Sequence, residues 1–84
     1  MASVTIYTTP ICPYCQMAKQ LLARKGVAFS EIDVMRKPEL RREMEVKSGR
    51  YTVPQIWIGE RHVGGCDDLY ELDRVGELDP LLAT

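Results

Sequence analysis

Apolar and polar residues alternate at the start of the chain, which is the pattern of a β-strand. Within residues 3–8, Val4 and Ile6 fall on one face and Thr5 and Tyr7 fall on the other. Side chains two residues apart share a face of a strand, so this alternation predicts an extended segment with two distinct faces. We expect it to be the first strand of a sheet.

The apolar spacing changes to a helical one after two prolines. Pro10 and Pro13 interrupt the strand pattern, and helix-forming residues then fill positions 15–25. Gly26 follows a basic pair, which favours a helix end at this point. The apolar positions recur every three or four residues and predict one buried stripe, formed by Met17, Ala18, Leu21 and Leu22.

The remaining chain predicts two more helices and three more strands. Residues 27–34 are typical of a strand, with Phe29 and Ile32 as expected core residues. A helix should begin at Pro38, because proline suits the first helical turn, and should end before Gly49. A strand is expected at 55–58, a type II′ turn at Gly59-Glu60 and a returning strand at 61–63. A helix that carries Leu69, Leu72 and Val75 should follow, capped by Asp67 or Asp68. The chain should end with a short turn from Pro80 through Leu81 and Leu82.

This order of elements, β-α-β-α-β-β-α, indicates an α/β fold. A β-α-β unit makes its two strands parallel with a right-handed crossover, and the tight turn makes the last two strands antiparallel. One four-stranded mixed sheet covered by helices satisfies every connection. With 84 residues, residues 1–84 should form a single domain.

Composition is that of an ordinary soluble protein, at 45% hydrophobic and 27% charged residues. No apolar run approaches the roughly 20 residues of a membrane helix, and no signal-peptide pattern is visible at the N-terminus. We therefore expect no membrane association and a cytoplasmic location. The net charge of −1 favours no nucleic-acid partner.

The charge is nevertheless uneven along the chain. Residues 36–50 hold six basic and three acidic side chains, whereas residues 60–84 hold seven acidic and two basic ones. Most of these charges are expected to lie on solvated helix faces. A few of the basic residues could instead flank an anionic ligand.

Cys12 and Cys15 form a Cys-x-x-Cys pair at the junction of the first strand and the first helix. The first helical turn has unpaired backbone N–H groups and partial positive charge, and both stabilise a thiolate. A free thiol has a pKa of about 8.5, and such motifs lower it. Cys12 precedes the helix and should be the exposed nucleophile. Cys15, one turn later and more shielded, should be the resolving thiol.

Two other interpretations of these cysteines compete with a redox role. The pair could be structural, or it could supply half of a zinc site completed by His62 and Cys66. The His62–Cys66 spacing spans a double glycine and does not resemble a ligand knuckle, and Cys-x-x-Cys between a strand and a helix is typical of redox proteins. We therefore expect redox chemistry and no metal site.

Four motifs of the chain are informative together: Cys12-Pro13-Tyr14-Cys15, Thr52-Val53-Pro54, Gly64-Gly65-Cys66-Asp67-Asp68-Leu69 and Leu78-Asp79-Pro80-Leu81-Leu82. With these motifs the sequence resembles a glutaredoxin, of the bacterial type with two active-site cysteines. The similarity spans nearly the whole chain in order and spacing.

The resemblance implies a thioredoxin-like fold and a set of glutathione contacts. The Val53 backbone would pair with the cysteinyl part of glutathione, as an added strand does, and the bond before Pro54 would be cis. Arg50 would meet the glycine carboxylate, because a guanidinium binds carboxylates in a bidentate manner. The complete implied glutathione-binding set is Tyr14, Arg50, Thr52, Val53, Pro54, Gly65, Cys66 and Asp67.

The family further implies an enzyme that reduces protein–glutathione mixed disulfides and protein disulfides. Glutathione would be a co-substrate, with no tightly bound cofactor, and the enzyme would be a monomer. Its partners would be glutathionylated or disulfide-containing proteins and, by family analogy, ribonucleotide reductase. The alternative is an iron–sulfur cluster carrier or metal-binding protein that uses Cys12 with glutathione. A third alternative, regeneration by thioredoxin reductase, agrees less well with Val53 and with Gly65 to Asp67.

One position departs from the family pattern. Many glutaredoxins carry a lysine three residues before the first cysteine, where this chain has Thr9. That lysine would stabilise both the thiolate and a glutathione carboxylate. We therefore expect weaker activation of Cys12 than in lysine-bearing members, unless Arg50 or Lys19 compensates.

Overall fold

The computed structural model of the chain describes residues 2–84, and its elements follow the predicted order with one extra helix at the end. The elements are β1 Val4–Thr8, α1 Pro13–Arg24, β2 Ser30–Asp33, α2 Pro38–Ser48, β3 Gln55–Ile58, β4 Arg61–Gly64, α3 Cys66–Arg74 and α4 Leu78–Ala83.

The four strands form one mixed sheet in the order β2-β1-β3-β4. Strands β1 and β2 are parallel, and Thr8 of β1 pairs with Asp33 of β2. The other two pairings are antiparallel. A two-residue turn joins β3 to β4, and its Gly59 has φ of +62°, as the first central position of the predicted turn requires. The predicted mixed sheet is confirmed.

The two faces of β1 are buried against different helices, as its alternation predicted. Val4 and Ile6 pack with residues of α1, α3 and α4 in the larger core. Tyr7 faces the opposite side and packs with Val34 and with Met44 of α2. Helices thus cover both faces of the sheet.

Helix α1 begins directly after Cys12, as predicted. It starts at Pro13, two residues before the 15–25 stretch of helix formers, because the proline that interrupts the strand pattern also occupies the first helical position. Met17 was assigned to the buried stripe but is 43% exposed, whereas Ala18, Leu21 and Leu22 are buried. The apolar stripe of α1 is therefore narrower than the sequence indicated.

Three other boundaries also differ from the predictions. Strand β2 begins at Ser30 and not at 27, and Phe29 and Ile32 are only partly buried. Val75 follows the end of α3 and is 47% exposed. The final segment is a helix that starts at Leu78, which is fully buried, and not a turn that opens at Pro80.

None of the helices within residues 2–84 is long and apolar enough to cross a membrane.

Candidate active site

Four connecting segments converge at one edge of the sheet. They follow β1, follow β2, precede β3 and follow β4. Strand β2 runs parallel to β1, β3 runs antiparallel to β1, and β4 runs antiparallel to β3. The ends of β1, β2 and β4 and the start of β3 therefore lie at the same edge. Cys12 lies in the first segment, Val53 in the third and Gly65 in the fourth.

Cys12 caps the N-terminus of α1. Its backbone is extended, with φ of −151°, and its Sγ accepts a hydrogen bond of 3.0 Å from the backbone N–H of Cys15. Cys12 and Cys15 form a disulfide, with their Cα atoms 5.1 Å apart. In the reduced protein the same N–H would stabilise a Cys12 thiolate, since an unpaired N–H at a helix start favours negative charge.

The two cysteines differ in exposure in the predicted order, but not to the predicted degree. Cys15 is fully buried, whereas Cys12 is 9% exposed. The expectation that Cys12 is well exposed was therefore wrong for the disulfide form. Val53 explains part of this burial, because its carbonyl oxygen lies 3.8 Å from Cys12 Sγ.

The peptide bond between Val53 and Pro54 is cis, as the family resemblance implied. Pro54 is buried, whereas Thr52 is exposed and Val53 is partly exposed. The backbone of this segment thus lies beside the disulfide, with its residues before the proline open to a ligand.

A groove of about 180 Å³ lies between the segment before β3 and the start of α3. It contains every residue that the resemblance assigned to glutathione binding, and one more, Asp68. The lining residues are Tyr14, Arg50, Thr52, Val53, Pro54, Gly65, Cys66, Asp67 and Asp68.

Asp68 connects the two walls of this groove. Its carboxylate accepts a hydrogen bond of 2.9 Å from the Gly65 N–H and an ion-paired hydrogen bond of 3.0 Å from Arg50. The sequence predicts Asp68 only as a helix cap and does not predict its contact with Arg50. Asp68, and not Asp67, makes the capping contact, so the Asp67 carboxylate is left exposed at the groove.

Gln55 and His62 support the wall formed by Thr52, and sequence reasoning missed this role. Gln55 is fully buried, and its amide Nε2 donates to the Thr52 carbonyl at 3.0 Å. Its Oε1 lies 2.7 Å from His62 Nε2, which must donate because an amide oxygen only accepts. Burial, with a smaller effect of the Arg50 charge, lowers the pKa of His62, so a neutral donor suits this position. His62 also stacks on Trp57, at 4.6 Å between ring centroids.

Cys66 is the third cysteine of the chain and is almost fully buried at the groove. Burial raises the pKa of its thiol, and the nearby Asp67 carboxylate raises it further. A thiol with a raised pKa is a poor nucleophile. The chemistry that this site supports is therefore thiol–disulfide exchange at Cys12 and Cys15, with Cys66 as a wall residue.

The stabilising effect of Asp68 is expected to depend on pH. The Gly65 N–H, and next the Arg50 guanidinium, hold the pKa of this carboxyl below its usual range. A group with a lowered folded-state pKa stabilises the protein above its unfolded pKa of about 3.9 and loses that effect as pH falls. Wild type should therefore be more stable than Asp68→Asn at pH 7, and the difference should shrink toward zero near pH 2, as measured by urea unfolding.

The control for this measurement is Glu60→Gln. Glu60 is exposed in the β3–β4 turn, and no hydrogen bond or ion pair of its side chain is found within residues 2–84. A difference between wild type and Asp68→Asn that stays constant from pH 7 to pH 2 would contradict the assigned role of the carboxylate charge.

Comparison with known proteins identifies the family of the chain. Residues 4–63 match the sequence pattern of the glutaredoxin family. A glutaredoxin from Pseudomonas aeruginosa is 65% identical over 84 residues, and the match covers all of both chains.

Solved structures agree with this match. The structure titled "Crystal structure of buckwheat glutaredoxin-glutathione complex" superposes with a TM-score of 0.91 at 28% identity, covering 98% of this chain and 77% of that one. A structure titled "Metal Binding of Glutaredoxins" superposes with a TM-score of 0.77 at 62% identity, covering 100% of this chain and 91% of that one. The protein therefore has the thioredoxin-like fold, is a thiol–disulfide oxidoreductase, and belongs to the glutaredoxin family.

Proposed function

We propose that the protein uses glutathione to reduce protein–glutathione mixed disulfides and protein disulfides. The observation that carries this proposal is the groove beside the disulfide, which has carboxylate, guanidinium and backbone groups on facing walls. The buckwheat glutaredoxin of the same fold is described as a complex with glutathione. Under this proposal residues 1–84 form a single domain, and the protein acts in the cytoplasm as a monomer. Glutathione is its co-substrate, and it has no tightly bound cofactor.

Cys12 is proposed as the nucleophile. Its thiolate attacks the glutathione sulfur of the mixed disulfide, so that a Cys12–glutathione disulfide forms and the protein cysteine leaves as a thiolate with the electron pair of the broken S–S bond. The thiolate of a second glutathione then attacks the glutathione sulfur on Cys12, which forms glutathione disulfide and releases Cys12 as a thiolate. For a protein disulfide, Cys15 resolves the mixed disulfide on Cys12 and forms the Cys12–Cys15 bond. The burial of Cys15 suits a thiol that reacts only within the molecule.

The groove offers complementary partners for each end of glutathione. The Val53 backbone is open for strand-like pairing with the cysteinyl part. The N–H groups at the start of α3, in Cys66 and Asp67, suit the γ-glutamyl carboxylate, and the exposed Asp67 carboxylate suits the γ-glutamyl ammonium. Arg50 is partly used by Asp68, but a guanidinium has five donors and the side chain is half exposed. Arg50 can therefore still donate to the glycine carboxylate.

The position of Arg50 also bears on the missing lysine at Thr9. Lys19, the other cation that could compensate, forms an ion pair of 2.9 Å with Glu31. Glu31 also accepts a hydrogen bond from the buried Thr8, at 2.7 Å. Lys19 is thus committed to a structural contact, and Arg50 is the remaining candidate for binding the glutathione carboxylate.

The glutathione site is tested by removing the charge of Asp67. We expect Asp67→Asn to raise the KM for glutathione about three- to tenfold with little change in kcat, because a charge-assisted hydrogen bond at an exposed site is lost. The assay is reduction of a glutathione mixed disulfide of a small thiol, coupled to glutathione reductase. Glu60→Gln is the matched control, since it removes the same charge at the opposite edge of the sheet. An equal rise in KM for both variants would contradict the assigned site.

Metal or cluster binding is the second candidate function. It is favoured by the similar structure described as "Metal Binding of Glutaredoxins", which is 62% identical to this chain. Within residues 2–84 of one molecule, no group of three or more His, Cys, Asp or Glu residues could hold a metal ion. A metal or cluster would therefore need ligands from glutathione and a second copy of the chain. Anaerobic purification with glutathione tests this candidate: visible absorbance together with a dimer on gel filtration would support it, and a colourless monomer would contradict it.

A further inference from the structure

The segment that follows β2 lies directly beside the segment that carries Cys12. Thr8 pairs in parallel with Asp33, and the Val34 N–H extends this pairing by donating to the Thr8 carbonyl at 2.9 Å. The segment of residues 9–12 therefore starts at the same edge of the sheet as the segment of residues 34–37, and the two are adjacent there. The second of these segments has no part in the proposed glutathione site.

The glutathione groove and the 34–37 segment lie on opposite sides of the cysteine segment. Apart from Tyr14, the residues that line the groove precede β3 or follow β4. In the sheet order β2-β1-β3-β4, both of those strands lie on the side of β1 away from β2. Glutathione bound in the groove would therefore leave the β2 side of Cys12 free for the polypeptide of a substrate.

The surface on this free side is both apolar and basic. Ile11 is 86% exposed and Met35 is 59% exposed, and Arg36 and Lys37 next to Met35 are also exposed. Single exposed apolar residues are common on protein surfaces. Here two of them occupy adjacent segments beside the reactive disulfide and are accompanied by two cations. We call Ile11, Met35, Arg36 and Lys37 the β2-side surface.

Several cations near this surface form no ion pair within the described residues 2–84. Among these residues, five of the 11 Lys and Arg side chains form ion pairs, and four of the other six lie within residues 36–42. The acidic side chains nearest in sequence are Asp33 and Glu39. Asp33 accepts the Met35 N–H at 2.8 Å and keeps its negative charge. Residues 33–42 still hold four basic side chains against the two acidic ones, Asp33 and Glu39, so this stretch carries a net charge of +2.

We propose that the β2-side surface docks the polypeptide of the disulfide substrate and favours substrates whose cysteine is flanked by acidic and apolar residues. Complementary charge accelerates encounter and excludes partners of like charge. The apolar side chains of Ile11 and Met35 would contact the apolar flank. The placement of glutathione on the other side rests on the proposed function, but the docking itself requires only the dithiol reaction.

The proposal can be tested without glutathione. The substrates are two peptides with a single cysteine, one flanked by Glu and Leu and the other by Lys and Leu, each in a mixed disulfide with 5-thio-2-nitrobenzoate. The Cys12 thiolate attacks the peptide sulfur, the peptide–nitrobenzoate S–S bond breaks, and the coloured thiolate leaves with its electron pair. Cys15 then attacks Cys12 and gives its proton to the departing peptide thiolate. The dithiol is oxidised and the mixed disulfide is reduced to two thiols.

Stopped-flow absorbance gives the second-order rate constant for the reaction of each peptide with the protein. This constant is divided by the rate constant of the same peptide with dithiothreitol, which corrects for the intrinsic reactivity of its disulfide. We expect wild type to prefer the acidic peptide about fivefold or more at low salt, and 0.5 M NaCl to reduce the preference by screening. Arg36→Gln/Lys37→Gln should lower the preference to about twofold or less. The control variant, Arg24→Gln/Arg61→Gln, removes two exposed cations that also form no ion pair within residues 2–84. It should keep the wild-type preference for the acidic peptide.

Equal rates for the two peptides in wild type, or an equal loss of preference in the control, would overturn the proposal. If the preference persists but the glutathione-coupled assay shows no activity, the docking surface stands and glutathione dependence fails. If the coupled assay is normal and the preference is absent, only the docking surface fails.

Discussion

Replacing Cys12 by serine is expected to reduce the rate of disulfide reduction by at least about 10³-fold, with all substrates. A serine hydroxyl at this position is far less nucleophilic than a thiolate, and removal of a covalent nucleophile costs rates of this order. The substitution is nearly isosteric and the Cys15 N–H can still donate to the serine oxygen at the helix cap. Far-ultraviolet circular dichroism and thermal unfolding should therefore show an intact fold.

Cys15→Ser is the matched control for this prediction. It should keep activity on a glutathione mixed disulfide, because a second glutathione can attack the glutathione sulfur that is bonded to Cys12. It should lose most activity on protein disulfides, because these require Cys15 to release the bound protein. If instead Cys15→Ser is inactive on both substrates while Cys12→Ser is active, Cys15 is the nucleophile and the assigned roles are reversed. Equal activity of both variants would show that neither cysteine acts as proposed.

Sequence patterns predicted the sheet because alternation and helical spacing report burial directly. Val4 and Ile6 alternate with residues of the other face, and both faces of β1 are buried against helices. The element boundaries were less predictable at residues with two structural roles. Pro13 both interrupts the strand pattern and occupies the first position of α1, so the strand pattern alone does not give the residue at which the helix starts.

The reactive pair could also be found from the sequence, whereas the supports of the groove could not. Cys-x-x-Cys at a helix start has a local physical signature in the cap contact of Cys12 with the Cys15 N–H. The Arg50–Asp68 ion pair joins residues 18 positions apart, and the Gln55–His62 contact crosses two strands. Contacts of this kind depend on how separate segments meet, and no periodicity or composition encodes them.

Asp68 illustrates how the structure changes the interpretation of a motif. In the Gly64-Gly65-Cys66-Asp67-Asp68 run, either aspartate suits a helix start, and the sequence left both open. The structure separates them: Asp68 is engaged with Gly65 and Arg50, whereas Asp67 is exposed. The same engagement makes Gly64 a position that admits no side chain.

Gly64→Ala is expected to destabilise the protein by about 2–6 kcal/mol and to lower the melting temperature by about 8 °C or more. Gly64 has φ of +118°, which residues with a Cβ rarely adopt. A Cβ here would lie within 2.8 Å of the Asp68 carboxylate carbon. Backbone strain of this kind costs about 1–3 kcal/mol, overpacking costs about 1–3 kcal/mol more, and 1 kcal/mol shifts the melting temperature of a domain this size by about 4–8 °C.

Gly65→Ala provides a control from the adjacent residue. Gly65 has φ of −95°, and the nearest atom to an added Cβ is the Pro54 carbonyl oxygen at 3.5 Å, an ordinary contact. Its melting temperature should stay within a few degrees of wild type. Adding Asp68→Ala to Gly64→Ala should recover part of the loss, because it removes the clash with the carboxylate and leaves the backbone strain. Equal melting temperatures for the two alanine variants would show that neither strain nor the Asp68 contact restricts position 64, and the shape assigned to this wall of the groove would be wrong.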